Sequence, residues 1–460
     1  MRAADLALEL HGAVDTVTGS RYLLTSRHAR VLVDCGLFQG PKKLRERNWR
    51  EPTFDPASLD AVVLTHAHID HTGYVPRLCK LGFTGPIYCT PGTRDLLALL
   101  LPDAGYLQEE AAAHANRGGY SRHDPALPLY TRADAERSLA QLVPIAFGAS
   151  FEPARDLTAT FQRAGHIIGS ACVTFAAGHG TRITFSGDVG RPCDPIMRPP
   201  APLGPTDYLV IESTYGDRRH PSLDLESALA RIVIETLEKR GTLVIPAFAV
   251  GRAQHLMYLL ARLRTVGRIP PCPLYLDSPM AIDASGIFGR HPGEHRLSAA
   301  DWIETCGAVH YARTADSSRA IDRTSGPMIV IAASGMCTGG RVLHHLARFL
   351  PDERSTVLFV GYQASGTRGR SLVDGADELK LLGQYVPVRA RIAQLDGLSA
   401  HADFAELIEW LRASQIAPRE VLVTHGEPAA SDAFRRRLRE AFGWNARVPE
   451  LGERVVLEPA

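Results

Sequence analysis

Residues 64–73, LTHAHIDHTG, place three histidines and one aspartate within six consecutive positions. They continue the apolar run DAVVL at 60–64, which predicts a buried strand that ends at the histidines. On an extended segment His66 and His68 project to the same side, so both can ligate one metal ion. Asp70 and His71 follow as the chain turns and offer ligands to a second ion. Imidazole and carboxylate together suit zinc or a similar divalent ion.

Composition indicates a soluble globular protein. The 460 residues are enough for about two or three domains, and 45% are hydrophobic and 22% charged. The net charge of +1 predicts no strong global attraction to nucleic acid or membrane, so local charge would have to hold any polyanion. No apolar stretch approaches the ~18 residues of a membrane span, and the eight cysteines include no CxxC pair. We therefore expect a cytoplasmic protein without a membrane partner.

The pattern of apolar residues changes near position 206. Before it, short strands such as LALEL, VLVDCG and TRITFSGDVG surround a helical region at 93–142, which polar residues interrupt at 117–128. The segment 191–205, RPCDPIMRPPAPLGP, is a loop or linker. Beyond it, apolar runs such as TLVIPAFAV and MIVIAAS alternate with helical patterns. Such alternation predicts an α/β fold with a parallel sheet flanked by helices.

Three further motifs of the first half contain polar residues in turns after strands or between glycines. They are DCG with Asp34, AGHIIGSA with His166 and FSGDVGR with Asp188. Each motif is weak alone, but in this order, with THAHIDHTG, the set resembles the metallo-β-lactamase superfamily. The resemblance implies that His66, His68 and His166 bind one metal ion. It implies that Asp70, His71 and a later histidine bind a second ion, and that Asp188 bridges the two. Asp34 would contact a ligand histidine from behind.

The second half narrows the resemblance. VIESTYGDR, PAFAVGRAQ, ASGMCTGGR, LSAHAD and VTHGE are similar to motifs of the β-CASP nucleases, as is PLYTRADAERSL in the first half. The chain most resembles prokaryotic relatives of the endonuclease subunit of the cleavage and polyadenylation specificity factor. This implies a metallo-β-lactamase αββα sandwich (1–212 and 391–460) with an inserted β-CASP cap (213–390). By motif, Glu212 is the acidic motif A residue, His401 the motif B histidine, and His425 the motif C histidine that completes the second metal site.

The predicted metal pair suits a phosphodiester substrate. Two ions ~3.5–4 Å apart can activate a shared water and clamp the oxygens of an in-line phosphoryl displacement. Two zinc ions carry four positive charges, and Asp70 and Asp188 return only two negative ones, so the pocket stays electropositive. His401 is the candidate acid for the leaving oxygen, oriented by Glu212 and, as a further option, by Asp403. Local sequence alone equally allows His401 to be a capping or core histidine at the start of a helix at 403–413.

The cap offers candidate phosphate contacts where strands lead into helices. Backbone amides of such turns and helix N-termini can bind anions, although glycine-rich turns are also common without a ligand. The candidates are Ser334, Gly335, Gly339 and Arg341 in ASGMCTGGR, Arg252 in AVGR, and Arg368 and Arg370 in VGYQASGTRGR.

We predict a zinc-dependent ribonuclease that acts as an endonuclease on single-stranded RNA, in RNA processing or decay. The choice of RNA rests on the resemblance, because a histidine at motif C is typical of RNA-acting members. Alternatives are a 5′-exoribonuclease, a DNA nuclease, a small phosphodiesterase, or a subunit that binds RNA without cutting it. The sequence leaves a homodimer or a protein partner open.

Overall fold

The computed structural model describes residues 6–459 except residues 120, 122, 179, 223, 325, 362 and 365. The chain divides into two compact units, unit 1 (Met1–Arg219 with His401–Ala460) and unit 2 (His220–Ala400). The sequence-based boundaries at 212/213 and 390/391 lie seven and ten residues earlier. The strand at Arg391–Gln394 lies in unit 2, because it pairs with another strand of that unit.

The elements of unit 1 come from both ends of the chain. Its first segment contains strands β1 (Leu6–Leu10), β2 (Tyr22–Thr25), β3 (Arg30–Val33), β4 (Ala61–Val63), β5 (Ile87–Cys89), β6 (Leu142–Pro144), β7 (Ser150–Ala154), β8 (Leu157–Arg163), β9 (Ala171–Ala177), β10 (Arg182–Phe185) and β11 (Tyr208–Ile211). It also contains helices α1 (Lys42–Arg45), α2 (Ile69–Thr72), α3 (Val75–Lys80), α4 (Pro91–Gly118) and α5 (Arg132–Ser138).

Unit 2 follows in the chain, and unit 1 then resumes. Unit 2 contains α6 (Leu225–Glu238), β12 (Thr242–Pro246), α7 (Arg252–Thr265), β13 (Leu274–Asp277), α8 (Pro279–Arg290), α9 (Ala299–Gly307), β14 (His310–Tyr311), α10 (Ala315–Arg323), β15 (Met328–Ala332), α11 (Val342–Phe349), β16 (Thr356–Phe359), α12 (Arg368–Val373), β17 (Glu378–Leu381), β18 (Gln384–Pro387) and β19 (Arg391–Gln394). The return segment contains α13 (Phe404–Ser414), β20 (Glu420–Val423), α14 (Pro428–Phe442), β21 (Ala446–Arg447) and β22 (Arg454–Leu457).

Unit 1 is built on two seven-stranded sheets. Their strand orders are β22-β1-β2-β3-β4-β5-β6 and β21-β20-β11-β10-β9-β8-β7. Side chains from both sheets, such as Leu8, Val33 and Phe185, share one buried core. Helices α13 and α14 cover the outer face of the second sheet, where Trp410 and Phe434 pack on its strands. The return segment completes both sheets, because β20 pairs with β11 and β22 pairs with β1.

Unit 2 contains a parallel sheet with strand order β14-β13-β15-β12-β16-β19. Every residue of the two central strands, TLVIP and MIVIA, is buried, as expected for strands covered on both faces. Val342, Leu346 and Phe349 of α11 pack into a core with strand residues of this sheet. Strands β17 and β18 form a separate hairpin. The α/β architecture predicted from the sequence is confirmed.

The helices of the described residues (6–459 without the seven positions named above) are too short or too polar to span a membrane. None of them combines the length with the apolar composition needed to cross a membrane. The longest, α4, spans 28 residues, and its C-terminal half includes the polar segment QEE at 108–110. Its buried residues lie in its first fifteen positions, where they face the interior of unit 1.

Candidate metal centre

The strand ends of unit 1 explain why the polar motifs meet. Strands β10, β11 and β20 are parallel neighbours, so their carboxyl ends lie on one edge of the second sheet. Asp188, Glu212 and His425 follow those ends within one to three residues. In the first sheet, the parallel strands β3 and β4 lead into Asp34 and His66 in the same way. The topology therefore gathers residues that are far apart in sequence.

One cluster consists of His66, His68, His166 and Asp188. The His68 Nδ1 atom lies 3.2 Å from both His66 Nε2 and His166 Nε2. The Asp188 Oδ2 atom lies 3.3 Å from His66 Nε2 and 3.6 Å from His166 Nε2. A tetrahedral zinc ion with ligands at about 2.0–2.2 Å holds neighbouring ligand atoms roughly 3.3–3.6 Å apart. The spacing of the four atoms fits such an ion.

The second cluster consists of Asp70, His71 and His425. The Nε2 atoms of the two histidines are 3.1 Å apart, and His425 Nε2 lies 3.5 Å from Asp70 Oδ2. The other oxygen of Asp188, Oδ1, lies 3.2 Å from His71 Nε2. Asp188 thus presents one oxygen to each cluster. Its buried Oδ1 has no hydrogen-bond partner among the described residues, which is costly unless a cation lies there.

The protonation states of the first cluster suit metal binding. Burial, together with the neighbouring imidazole rings, lowers the pKa of His68 to about 3. The same causes lower the pKa of His166 well below its usual value. Both rings are therefore neutral at pH 7, and a neutral imidazole has the lone pair that a metal ion requires.

The carboxylates of the site create a strongly negative environment. Burial alone would raise the pKa of Asp70, but the hydrogen bond to His425 and the charge of His71 lower it below its usual range. Burial would likewise lower the pKa of His71, yet the charges of Asp188 and Asp34 raise it well above 6.5. The same charges attract a divalent cation to this position. The chemistry and spacing of the donors thus fit the metal ions that the sequence implies.

Asp34 contacts the predicted ligand His71 through Nδ1, the nitrogen that does not face His425. Its Oδ2 lies 2.7 Å from His71 Nδ1, and its Oδ1 accepts a hydrogen bond from the Thr65 backbone N–H at 2.8 Å. The Thr65 hydroxyl donates to Asp34 Oδ2 at 2.9 Å and lies 3.1 Å from His66 Nδ1. Asp34 therefore fixes the orientation of one ligand ring directly and contacts the other through Thr65. Such contacts tune metal affinity.

His401 borders the first cluster and pairs with Glu212. Its Nδ1 lies 3.1 and 3.2 Å from the two Glu212 oxygens, while its Nε2 lies 3.9 Å from Asp188 Oδ2. The Val189 backbone N–H donates to Glu212 Oε1 at 2.7 Å and so fixes the carboxylate. Burial lowers the pKa of His401, but Glu212 and Asp188 outweigh it and raise that pKa to about 9. The imidazolium thus points its Nε2 side at the ligand cluster.

Other contacts show what the sequence did not reveal. The Asp403 carboxylate accepts hydrogen bonds from the Ala405 and Glu406 backbone N–H groups at 2.8 and 3.0 Å, and so caps α13. The Thr214 hydroxyl lies 3.2 Å from His425 Nδ1, and the Ser20 hydroxyl lies 3.3 Å from His71 Nε2. Sequence reasoning missed both hydroxyls. Only Thr214 gave a signal, because it lies two residues after Glu212.

In unit 2, the predicted phosphate contacts lie near one edge of the sheet. Strands β15, β12 and β16 are parallel neighbours, so the segments after them share that edge. These segments contain ASGMCTGGR at 333–341, Arg252 at the start of α7, and Arg368 at the start of α12. Ser334 Oγ accepts a hydrogen bond from the Thr338 backbone N–H at 3.1 Å, which folds the glycine-rich loop onto itself. Gly339 has open space at the position of a side chain.

Arg341, Arg368 and Arg370 of this group donate to nearby protein groups. Arg341 donates to Asp277 Oδ1 at 2.6 Å and to two backbone carbonyl oxygens. Arg368 donates to the carbonyl oxygens of Lys380 at 3.1 Å and Thr338 at 3.3 Å, and thus links the glycine-rich loop to the β17–β18 hairpin. Arg370 pairs with Asp374, which directly follows the end of α12. Part of the donor capacity of each guanidinium is therefore used within unit 2.

Comparisons with known proteins agree with this architecture. Residues 29–244 match a Beta-lactamase superfamily domain, residues 253–372 a Beta-Casp domain, and residues 385–449 a Zn-dependent metallo-hydrolase RNA specificity domain. The chain is 38% identical to Ribonuclease TTHA0252 of Thermus thermophilus over 90% of this chain and 92% of that protein. It is 34% identical to Transcription termination factor FttA of Methanosarcina mazei, over 91% of this chain and 66% of that factor.

A solved structure from Enterococcus faecalis, of a protein of unknown function, shares the fold with a TM-score of 0.56 at 14% identity. It covers 98% of this chain and all of that one. The fold and the site, with its two clusters of histidine and aspartate, define a metal-dependent hydrolase of the metallo-β-lactamase type. Within that class, the chain belongs to the β-CASP nuclease family. The resemblance noted in the sequence is thus confirmed, and so is the use of divalent metal.

Proposed function

We propose that the protein is a zinc-dependent ribonuclease that cuts single-stranded RNA internally, using two metal ions. The observation that supports it most directly is the pair of histidine clusters that share the Asp188 carboxylate. RNA as the substrate is supported by the RNA specificity domain at 385–449 and by the 38% identical ribonuclease. The corresponding alternatives are 5′-exonucleolytic cutting and cutting of DNA.

Zinc is proposed from the donor set. His66, His68 and His166 with Asp188 are four nitrogen and oxygen donors at tetrahedral spacing, a combination typical of zinc. His71 and His425 with Asp70 and the second Asp188 oxygen offer a similar set for a second ion. The positive charge of two such ions would exceed the negative charge of the two carboxylates, so the site would attract a phosphodiester. When bound, they supply an activated water and stabilise negative charge on the phosphoryl oxygens.

We assign the residues of unit 1 separate roles. The metal ions are bound by Asp188, Asp70 and the five ligand histidines. His401 donates a proton from Nε2 to the leaving oxygen, because Glu212 holds its Nδ1 side and turns Nε2 toward the ligand cluster. Glu212 orients His401, and Asp34 orients His71. Asp403 supports His401 by capping the start of α13, two residues further along the chain.

Unit 2 would contact the RNA backbone. The glycine-rich loop with Ser334, Gly335 and Gly339 lies at the same sheet edge as Arg252 and Arg368. Ligands of open parallel sheets bind at the carboxyl ends of the strands, and phosphates favour backbone amides and arginine there. Arg341 and Arg370, which pair with Asp277 and Asp374, would contribute positive charge near this edge.

The test is incubation of zinc-loaded protein with single-stranded RNA labelled at either end, and with DNA of matched sequence. We expect internal cuts in the RNA that leave 5′-phosphate and 3′-hydroxyl ends, and loss of cutting after chelation. Products that shorten one nucleotide at a time from the 5′ end would show that the protein is an exonuclease and not an endonuclease. Equal cutting of DNA would refute the RNA preference, and a metal content near zero after zinc loading would refute the metal site.

His401→Gln tests the assignment of the acid. We expect RNA cutting to slow by about 10²–10⁴-fold, because general acid catalysis supplies that range, while the metal content stays at the wild-type value. The measurement is single-turnover cutting together with metal analysis of the same sample. His344→Gln, at an exposed position of α11, is the matched control and should leave both values unchanged. A wild-type cutting rate in His401→Gln would remove His401 from the reaction.

A further inference from the structure

Phe248 is an exposed aromatic side chain at the sheet edge that holds the predicted phosphate contacts. It lies two residues after β12, and 45% of its surface is accessible to solvent. Singly exposed apolar residues are common on protein surfaces, so exposure alone indicates nothing. The location of Phe248 is informative, because β12 lies between β15 and β16, and the carboxyl ends of all three strands lie at the same edge.

The loops after β12, β15 and β16 meet beside this ring. The Ala247 backbone N–H donates to the Ala332 carbonyl oxygen at 3.0 Å, which extends the pairing of β12 and β15 up to Phe248. Gly335 lies beside the ring, and a Cβ at that position would be 3.1 Å from a Phe248 ring carbon. Gln363, in the loop after β16, donates to the Gly335 carbonyl oxygen at 3.1 Å. The ring therefore lies against the Gly335 backbone, which a hydrogen bond from Gln363 holds in place.

Polar groups suited to phosphate lie close to Phe248 in the chain or at the same sheet edge. Arg252 follows Phe248 by four residues at the start of α7, and Ser334 adjoins Gly335. The Phe248 carbonyl oxygen accepts a hydrogen bond from the Ala253 backbone N–H at 3.1 Å, which holds the Phe248 backbone at that helix start. An aromatic face beside cations and backbone amides is the combination with which proteins bind single-stranded nucleic acid.

We propose that Phe248 stacks on one unpaired base of the RNA while the surrounding groups contact its backbone. This site rests on the proposed ribonuclease function and deepens it by explaining how single strands are selected. A base within a duplex is already stacked on both faces, so only an unpaired base can cover the ring. Stacking is tolerant of base identity, so the site selects strandedness and not sequence.

The experiment measures steady-state cutting of a defined RNA oligonucleotide by zinc-loaded protein with Phe248→Leu. We expect KM to rise roughly 5- to 150-fold, the range for losing one stacked base, with kcat within about twofold of wild type. A series of oligonucleotides, each with one abasic position, then locates the base. One abasic position should raise KM for the wild type and have no further effect in Phe248→Leu, because both changes remove the same contact.

Two variants serve as controls. Tyr385→Leu changes another exposed aromatic residue of unit 2, 65% accessible and on the β17–β18 hairpin, and should leave KM unchanged. Phe248→Trp should retain or lower KM, because indole also stacks. Thermal unfolding of each variant establishes that the fold is retained.

The outcomes separate this proposal from the function on which it rests. If wild-type protein neither binds nor cuts any single-stranded RNA, the ribonuclease assignment fails. If wild-type protein cuts RNA but Phe248→Leu has an unchanged KM, or every abasic position affects both proteins equally, the stacking site alone is refuted. An equal rise of KM in Tyr385→Leu would also refute it, since the effect would then not depend on the sheet edge.

Discussion

Each unit of the molecule contains a buried cluster of histidine and aspartate, and the two clusters differ in which atoms face each other. In unit 1, imidazole nitrogens approach one another at 3.1–3.2 Å and Asp188 Oδ1 has no hydrogen-bond partner among the described residues. In unit 2, His345 is fully buried and each of its nitrogens lies 2.7 Å from a carboxylate, of Asp277 or Asp322. Arg341 and the Ser318 hydroxyl donate to Asp277 as well.

The comparison shows that burial of histidine beside aspartate does not by itself define a metal site. The cluster of unit 2 satisfies its own donors and acceptors, and its charges alternate between imidazolium, guanidinium and carboxylate. A cation there would displace a proton and repel Arg341. The cluster of unit 1 directs several lone pairs at common points, which only a cation can satisfy. We therefore expect the two clusters to respond oppositely to the same substitution.

Asp188→Asn should have the largest effect. The substitution keeps the size of the side chain but removes the negative charge that the two histidine clusters of unit 1 share. We expect the metal content to fall below one ion per chain and RNA cutting to reach background, as measured by elemental analysis after zinc loading and gel filtration. Asp277→Asn in unit 2 is the matched control. It should retain the wild-type metal content. A loss of metal in that variant would mean that the unit 2 cluster also binds a metal ion.

Asp277→Asn should instead destabilise unit 2. Removing one charge from a buried ionic network typically costs about 3–5 kcal/mol, because the remaining charges stay buried without a partner. Here the protonated His345 and Arg341 would face a neutral amide. Chemical unfolding followed by circular dichroism measures the change in the free energy of unfolding. Asp316→Asn, whose side chain is 88% exposed, should change it by less than about 0.5 kcal/mol.

Sequence reasoning found the clusters of unit 1 but not the His345 cluster of unit 2. His66, His68, Asp70 and His71 are adjacent in the chain, and their pattern is informative because metal ligation requires closely spaced donors. His345 lies 68 residues from Asp277 and 23 from Asp322. The sequence alone favours a surface position for the adjacent histidines 344 and 345, and this is wrong for His345, which is fully buried. The alternation of apolar runs and helices likewise predicted the parallel sheet of unit 2. It did not reveal that Arg341, predicted as a phosphate contact, pairs with Asp277.

The stability of unit 2 should depend on pH through His345. Burial lowers its pKa, but Asp277 and Asp322 more than compensate and raise the pKa from 6.5 to about 9. The charged ring therefore stabilises the folded unit fully below pH 6.5, and this contribution, about 3 kcal/mol, is lost as the pH rises to about 9. Asp277 acts in the opposite direction, because its pKa is lowered and its contribution is lost only in acid.

The measurement is the difference in unfolding free energy between wild type and His345→Gln at pH 6, 7.5 and 9. The groups that face the ring are Asp277 from β13, Asp322 from α10, and Arg341, which binds Asp277 from the segment before α11. The difference should shrink at each step, whereas effects of the metal site cancel because both proteins contain it. A difference that is constant over this range would mean that His345 is neutral in the folded protein.

Asp34→Asn should have the smallest effect, because it alters the support of a ligand and not a ligand. The amide can still occupy the space between His71 Nδ1 and the Thr65 backbone N–H, but it no longer favours the orientation and charge of the His71 ring. We expect metal affinity to fall about 10–100-fold, the usual consequence of losing a carboxylate behind a ligand histidine. Competition with a chelator of known affinity measures it, and excess zinc should restore most of the cutting rate.

Asp34→Asn also distinguishes two ways in which Asp34 can support the metal site. If the carboxylate acts through His71, the loss of affinity should concern one of two bound ions, and titration should resolve a weakened site beside an unchanged one. The two sites remain linked through Asp188, so some loss at the other site would follow from that bridge. Equal weakening of both ions would instead indicate that Asp34 supports the site through the loop that precedes His66, by way of Thr65. An affinity equal to wild type at both sites would mean that the arrangement of the ligands is fixed by the strands alone.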